Sequence, residues 1–389
     1  MAQRMLGYIR SERVESFPMA PDAKMTRPSR TLPARFFTDR GRFEAEMERF
    51  FCRKWVCTGR TEQVQNPGVF YLCEIAGESI IVVRDHQGAL RAYFNVCRHR
   101  GTRLCQQPSG RLGGRIQCPY HGWTYGLDGG LIGAPHMDGV EFRREDYPLH
   151  SVHVDEWGGN IFVNLDVLTP PLADQLDDLP QKLAAWEMQD LKLYKRFSYD
   201  VQANWKLIVQ NYNECLHCPV LHPALSAITD YLSGDNESAH PGYIGGSMGF
   251  RGGARTMSMD GQLRRACLPG LSESQRAKVL YYTVFPNLFL SLHPDYLMTH
   301  TLWPEAVDRT HVICEWHFHP SEIDKPAFEA EDVVQFWDMT NREDWRISEL
   351  SQKGIQSRAY VPGPYSSQER LPWAFDRIIC EDEASDDAE

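Results

Sequence analysis

Residues 95–101 read N-V-C-R-H-R-G, and residues 118–125 read C-P-Y-H-G-W-T-Y. They set Cys97-x-His99 ahead of Cys118-x-x-His121, with eighteen residues between the two pairs. Two thiolates and two imidazoles in paired spacing can hold a metal. One zinc ion would take all four donors in a tetrahedron. A [2Fe–2S] cluster would take both cysteines on one iron and both histidines on the other, and the neutral imidazoles would raise its reduction potential. Glycines such as Gly101 and Gly122 crowd the same stretch, so backbone can approach the site closely. Cys105 lies off the pattern and reads as a buried thiol.

Outward from this stretch the texture is that of short strands. Residues 69–75, 79–84, 90–95 and 161–165 are β-branched or aromatic runs parted by Gly- and Asp-containing turns. They predict a small all-β domain over about 56–166. Ahead of it, Phe43, Met47, Phe50 and Phe51 recur at helical spacing within 42–55. Residues 1–34 contain Pro18, Pro21, Pro28 and Pro33 and read as an extended arm. Past a Pro-containing link at 167–172 the pattern turns mixed. Helices are predicted over 172–186 with Pro180 as a break, over 204–215, and over 331–353 with Gly354 as the stop. Strands are predicted near 281–292 and 311–319. The last nine residues, 381–389, hold six acidic groups and no cation, which reads as a solvated, disordered tail.

A second group of donors lies in the run from Asn204, N-W-K-L-I-V-Q-N-Y-N-E-C-L-H-C-P-V-L-H-P. Glu214 and His217 are three apart and would share one helical face. His222 follows Pro219, where a helix would break and the chain could return a second imidazole. Two histidines and a carboxylate with open positions form the donor set of an oxygen-activating non-haem iron(II) centre. On its own E-x-x-H is more often packing than ligation. Cys215-x-x-Cys218 also admits a redox or zinc half-site reading. That reading is set aside, because no second C-x-x-C follows and the same run already carries the iron donors.

Through these three motifs the chain resembles the Rieske-type, ring-hydroxylating non-haem iron oxygenases, from about Phe36 to Arg377. The resemblance implies an α+β fold. A small all-β Rieske domain with a leading helix (36–166) would precede a larger mixed catalytic domain (167–380) with an antiparallel sheet flanked by helices. An N-terminal arm (1–35) and an acidic tail (381–389) would flank them. Cys97, His99, Cys118 and His121 would hold one [2Fe–2S] cluster, and His217 and His222 one mononuclear iron. The third iron ligand would be a carboxylate in F-W-D-M-T-N-R-E-D-W. Family placement matches Asp344, with Glu343 and Asp338 as rivals, and spacing alone does not choose. Glu214 would be no ligand but a bridge, bonded to His217 and, across a subunit boundary of a homotrimer, to the neighbour's counterpart of His121. Glutamate at 214, where many relatives carry aspartate, and the stretch from Asp344 and Trp345 to S-Q-K-G resemble the subgroup that acts on quaternary ammonium compounds.

The implied activity is a monooxygenation that uses O2 and electrons from NAD(P)H. No Rossmann fingerprint is present, so a separate flavin and iron–sulfur reductase would deliver the electrons. The substrate would be a small amine such as glycine betaine, choline, carnitine or stachydrine, hydroxylated or N-demethylated. A quaternary ammonium cannot donate a hydrogen bond, so aromatic faces would hold it. Tyr281, Tyr282, Phe285 and Trp303 are the candidates, with Tyr296 nearby, although any one of them reads more readily as strand core. His293, His300, His317 and His319 read as packing residues. An aromatic or heteroaromatic substrate is the alternative enzyme reading. An electron carrier or a zinc-stabilised binding module is the reading from another class, and the long catalytic half argues against it. Net charge is −11 and no basic block offers a nucleic-acid footprint. The longest uncharged run, 279–294, has sixteen residues, and a membrane span needs about 20. No apolar signal segment follows Arg4, Arg10 and Arg13. A cytoplasmic location is therefore expected, with most of the eleven cysteines kept as thiols.

Overall fold

The computed structural model describes residues 29–237 and 239–386, with side chains up to residue 380. The proline-rich arm lies almost wholly outside the described residues. Its end is tied down where Arg30 bridges to Pro364 and the Tyr365 N–H donates to the Ser29 carbonyl at 2.8 Å.

The β-branched runs build an antiparallel sheet of seven strands. Their spatial order is Val56–Arg60, Asn160–Asn164, Ser151–Trp157, Leu90–Phe94, Glu78–Arg84, Val69–Ile75 and Ser109–Arg111. Ile81, Val83 and Tyr93 face one core, while Ile80, Val82 and Ala92 face another. Burial on both faces explains why Ile80–Val83 is continuously apolar rather than alternating. A separate three-stranded sheet, Arg115–Gln117, Thr124–Gly126 and Leu131–Gly133, carries Cys118 and His121 in its first turn.

The leading helix Arg40–Glu46 starts at Asp39, whose carboxylate accepts from the Arg42 N–H at 2.8 Å, and continues as a π-helical turn Met47–Cys52. Buried Glu46 accepts from Lys206 Nζ at 2.5 Å and Trp205 Nε1 at 3.1 Å, which ties this helix to the catalytic half.

The catalytic half rests on a second seven-stranded antiparallel sheet. Its order is Lys192–Val201, Arg309–Phe318, Leu297–Ala306, Leu288–Leu292, Lys278–Val284, Tyr243–Gly249 and Asp235–Asn236. Register sets its two faces. Tyr281 lies opposite Ser291, and Ser291 opposite Met298; Tyr282 lies opposite Leu290, and Leu290 opposite Thr299. Successive residues point to opposite faces. Ser291 and His300 thus meet Tyr212 and Asn341 on the helices Trp205–Tyr212 and Glu331–Ile355. Tyr282 and Leu290 share a core with Trp55 and Phe162 of the β domain. This is the α+β arrangement the resemblance implied.

Several boundaries differ from expectation. The helix expected over 204–215 ends at Tyr212, so Glu214 and His217 do not share a helical face. Pro180 opens a helix rather than breaking one: Leu172–Leu176 and Leu179–Leu183 part at Asp177, and Pro180 sits in the first turn of the second, where its N–H is not needed. Gly354 lies inside Glu331–Ile355 instead of ending it. The helix Arg370–Asp386 runs into the stretch expected as a disordered acidic tail. Leu371, Phe375 and Ile379, spaced by four and at most 1 % exposed, give that helix its apolar stripe. Among the described residues no helix is long and apolar enough to cross a membrane.

Candidate metal centres

Two loops of like build present the paired cysteines and histidines. In each, the cysteine carbonyl accepts from a glycine four residues on: Gly101 to Cys97 at 3.0 Å and Gly122 to Cys118 at 3.2 Å. Both glycines have positive φ, 75° and 71°, which a residue without Cβ adopts readily. The Cys97 N–H donates to Thr102 and the Cys118 N–H to Trp123, closing both loops. The cysteines end up inside, each 3 % exposed, and the histidines outside. The His99 and His121 rings lie 4.8 Å apart, and Trp123 stacks on His99 at 4.9 Å. Tyr125 Oη sits 3.4 Å from Cys97 Sγ and accepts from the Arg98 N–H at 3.1 Å.

Burial pushes the Cys97 thiol up, so a thiolate there needs cationic charge beside it. Two buried thiols paired with two exposed imidazoles fit a [2Fe–2S] cluster, the thiolates on one iron and the imidazoles on the other. Among the described residues, the one set of three or more His, Cys, Asp or Glu donors within 4.8 Å of one another lies elsewhere. Cys105 is buried and outside this set, as expected.

The convergent set is His217, His222 and Asp344. The two histidines stand at either end of the one-turn helix Cys218–Leu221. Pro219 sits in its first turn, and the residue that turns the chain is Pro223, which holds His222 outside the helical region at φ −120°, ψ 72°. The helix Glu331–Ile355 delivers Asp344, whose Oδ1 is 2.8 Å from His222 Nε2 and 3.5 Å from His217 Nε2. The second nitrogen of each ring meets another carboxylate: His217 Nδ1 lies 2.5 Å from Glu214, and His222 Nδ1 lies 2.6 Å from Glu343.

The three rival carboxylates are thereby separated. Asp344 faces the centre, Glu343 backs His222, and Asp338 is occupied by Tyr199 at 2.8 Å and Arg342 at 2.9 Å. Glu214 is also held by the Leu216 N–H at 2.5 Å, so a turn rather than a helix positions it. Burial works to lower the His217 pKa, but Asp344 and Glu214 outweigh it and raise the ring to about 10. Burial likewise works to raise Asp344, and the two histidines hold it below the usual carboxylate range. The centre calls for positive charge, which a divalent iron supplies, and carboxylate-backed imidazoles are the usual surroundings of such an ion.

These donors open on a cavity of about 110 Å³ whose wall includes Tyr212, Tyr231, Tyr281 and Trp337. Of the aromatic candidates read from sequence, Tyr281 alone reaches it. Tyr282 is on the other sheet face and donates to Glu237 at 2.6 Å. Phe285 stacks on Phe375 at 5.8 Å, and Trp303 lines a separate groove of about 830 Å³ between the two halves. Tyr296 is buried behind the cavity, where Trp337 Nε1 donates to its hydroxyl at 2.7 Å. Trp337 is a further wall residue, outside the aromatic candidates read from sequence. Its signal is the spacing Trp337, Thr340, Asp344, which puts all three on one helical face, and all three line the cavity. His293, His300 and His317 are buried in the core and His319 caps the helix Pro320–Ile323, so none joins the triad. Cys215 and Cys218, set aside in the sequence, are joined by a disulfide.

Known proteins match both halves. The Rieske [2Fe-2S] domain family covers residues 54–148, and the ring hydroxylating alpha subunit catalytic domain family covers 188–381. The glycine betaine monooxygenase oxygenase subunit of Pseudomonas aeruginosa is 30% identical over 383 residues, spanning 90% of this chain and 89% of that protein. The carnitine monooxygenase oxygenase subunit of Escherichia coli K12 is 32% identical over 335 residues, spanning 85% of each. A quaternary ammonium Rieske monooxygenase solved with its substrate L-carnitine superposes with a TM-score of 0.75 at 25% identity, over 94% of this chain and 99% of that one.

The chain belongs to the Rieske-type non-haem iron oxygenases, with the ring-hydroxylating alpha-subunit architecture. It is an oxidoreductase whose cofactors are a [2Fe–2S] cluster and a mononuclear iron.

Proposed function

We propose that this chain is the oxygenase component of a monooxygenase that hydroxylates or N-demethylates a small quaternary ammonium compound of the glycine betaine, choline, carnitine or stachydrine type. The observation that carries this reading is the histidine–aspartate triad opening on a small cavity walled by Tyr212, Tyr231, Tyr281 and Trp337. Ring faces attract a cation that has no N–H to donate, by about 0.5–2 kcal/mol each. The named substrates of relatives, glycine betaine and carnitine, support the same class.

In this reading Cys97, His99, Cys118 and His121 hold the cluster, and His217, His222 and Asp344 hold the iron. When bound, the cluster supplies single electrons and the iron activates O2 toward a C–H bond. The chain's own groups prepare the site. Glu214 and Glu343 fix the two imidazoles through Nδ1 and leave Nε2 for the metal. The aromatic wall keeps water out and holds the ammonium group beside the triad. Where the oxidised C–H bond is on an N-methyl group, the product is a carbinolamine, which loses formaldehyde and leaves the demethylated amine. Electrons arrive from NAD(P)H through a separate reductase, in keeping with relatives named as oxygenase subunits.

Glu214 has a second task in this reading, as the bridge between the iron of one subunit and the cluster of its neighbour in a homotrimer. What supports it is exposure: His99 and His121 are exposed at the tip of their loops, and Glu214 and His217 are only half-buried. Each chain thus offers a polar edge that a neighbour can meet. Substrate class is tested by the paramagnetic spectrum of the iron(II) enzyme with nitric oxide as the probe. Betaine, choline, carnitine or stachydrine should perturb it. A response to aromatic acids or hydrocarbons, with none to the four amines, would overturn the reading in favour of ring hydroxylation.

A further inference from the structure

The Cys215–Cys218 pair takes no part in the chemistry above, yet it brackets the histidine on which that chemistry depends. The two sulfurs are bonded, while the other nine cysteines form no disulfide. Both cysteines line the iron cavity. Cys218 is 2 % exposed and Cys215 half-buried, so Cys215 offers the more accessible sulfur. The segment they close is no helix. It is a turn held by the Leu216 N–H on Glu214 at 2.5 Å and by the Cys218 N–H on the Cys215 carbonyl at 3.1 Å. His217 is thus one member of a four-residue covalent ring, and the same turn presses its Nδ1 against Glu214.

We propose that Cys215–Cys218 is a reversible thiol–disulfide site whose closed form holds His217 in position for iron. This rests on the reading of His217 as an iron ligand. With the bond closed, the backbone on both sides of His217 is restrained covalently. With it open, hydrogen bonds alone hold the turn, and the imidazole and Glu214 gain freedom together.

The chemistry balances with a small dithiol as reductant and hydrogen peroxide as oxidant. A thiolate of a small dithiol attacks Cys215 Sγ, the S–S bond breaks, and Cys218 leaves and takes up a proton. The reductant's second thiolate then displaces Cys215, which is protonated in turn, and the reductant departs as its cyclic disulfide. Two electrons and two protons enter the protein. In the other direction hydrogen peroxide oxidises the Cys215 thiol to a sulfenic acid with release of one water. The Cys218 thiol condenses with it, forming the disulfide and a second water.

The test uses iron-loaded holoenzyme treated with dithiothreitol or with the thiol oxidant diamide, then desalted. One portion is unfolded, alkylated and mapped by mass spectrometry. Residues 215 and 218 should be blocked after diamide and both alkylated after dithiothreitol. A second portion is mixed with a chromophoric chelator, and release of the mononuclear iron is timed. The open form should release iron on the order of 10-fold faster, the low end of what loss of support around a ligand produces. Cys218→Ser should release it at the open-form rate after either treatment. Free thiols at 215 and 218 after diamide would overturn the site. Equal release rates from the two forms would overturn its hold on His217. Absence of mononuclear iron in both forms would instead overturn the ligand reading beneath it.

Discussion

Glu343 and Asp344 are neighbours in the chain with different tasks, because one helical step of about 100° turns one toward His222 Nδ1 and the other toward the triad's centre. Glu343→Ala should therefore lower iron affinity about 10–100-fold while cluster content stays intact, read by metal analysis of the purified variant. Asp338→Ala, on the far side with Tyr199, should leave the iron in place. An equal loss in both would contradict the assignment. The aromatic wall makes a similar division. Trp337→Ala should raise KM for the amine about tenfold, the scale of one desolvated cation–π contact, whereas Trp303→Ala in the distant groove should not change it. At this scale the sequence was legible where spacing is local. Cys97-x-His99 and Cys118-x-x-His121 place their donors on their own loops. It was not legible where a residue's task depends on which way an element faces. Alternation says that Tyr281 and Tyr282 oppose each other, but not which of the two faces the iron.

At the scale of elements, the long helix with Asp344 and the strands of the β domain follow from periodicity. The C-terminal helix did not, because its acidic end hid the stripe of Leu371, Phe375 and Ile379. Strands Lys192–Val201 and Tyr243–Gly249 are also outside the strands expected from sequence. The first carries a legible alternation over residues 196–201, R-F-S-Y-D-V, whereas the second is rich in glycine and tertiary pairing decides it. The C-terminal helix brings a titrating group with it. Asp376 is buried against the helix Trp205–Tyr212, where Gln210 donates at 2.5 Å and Tyr365 at 2.6 Å. Burial outweighs those hydrogen bonds and raises its pKa from 3.8 to about 7. The folded chain holds this proton more tightly than the unfolded chain. The group's contribution to stability is therefore full below about pH 4 and is lost as pH rises through 7. Asp376→Asn should gain on the wild type over that window, with a ceiling of about 4 kcal/mol. The check is the difference in Tm at pH 4.5 and pH 8; a difference that does not change with pH would contradict the account.

For the whole molecule, the paired Cys-His motifs are specific, and they give weight to the weaker E-x-x-H run about a hundred residues on; together they pointed to the α+β architecture and both cofactors. Assembly was beyond local reading, because it depends on surfaces rather than spacings. If the cluster of one subunit serves the iron of the next, two defective chains can repair each other. Cys97→Ser lacks the cluster and Asp344→Ala lacks the iron, so each alone should be inactive. Mixed trimers assembled from equal amounts should regain about a quarter of wild-type activity, the share of head-to-tail contacts that join a sound cluster to a sound iron. Electron transfer confined within one chain would leave the mixture dead.

The most direct test of the central claim is a single turnover without any reductase. The iron-loaded protein is reduced chemically, freed of excess reductant, and given O2 with glycine betaine, choline, carnitine or stachydrine. Formaldehyde and the demethylated or hydroxylated amine are then measured by mass spectrometry. The account requires cluster oxidation with product approaching one per iron from at least one of these amines. Cluster oxidation without product from any of them would contradict it.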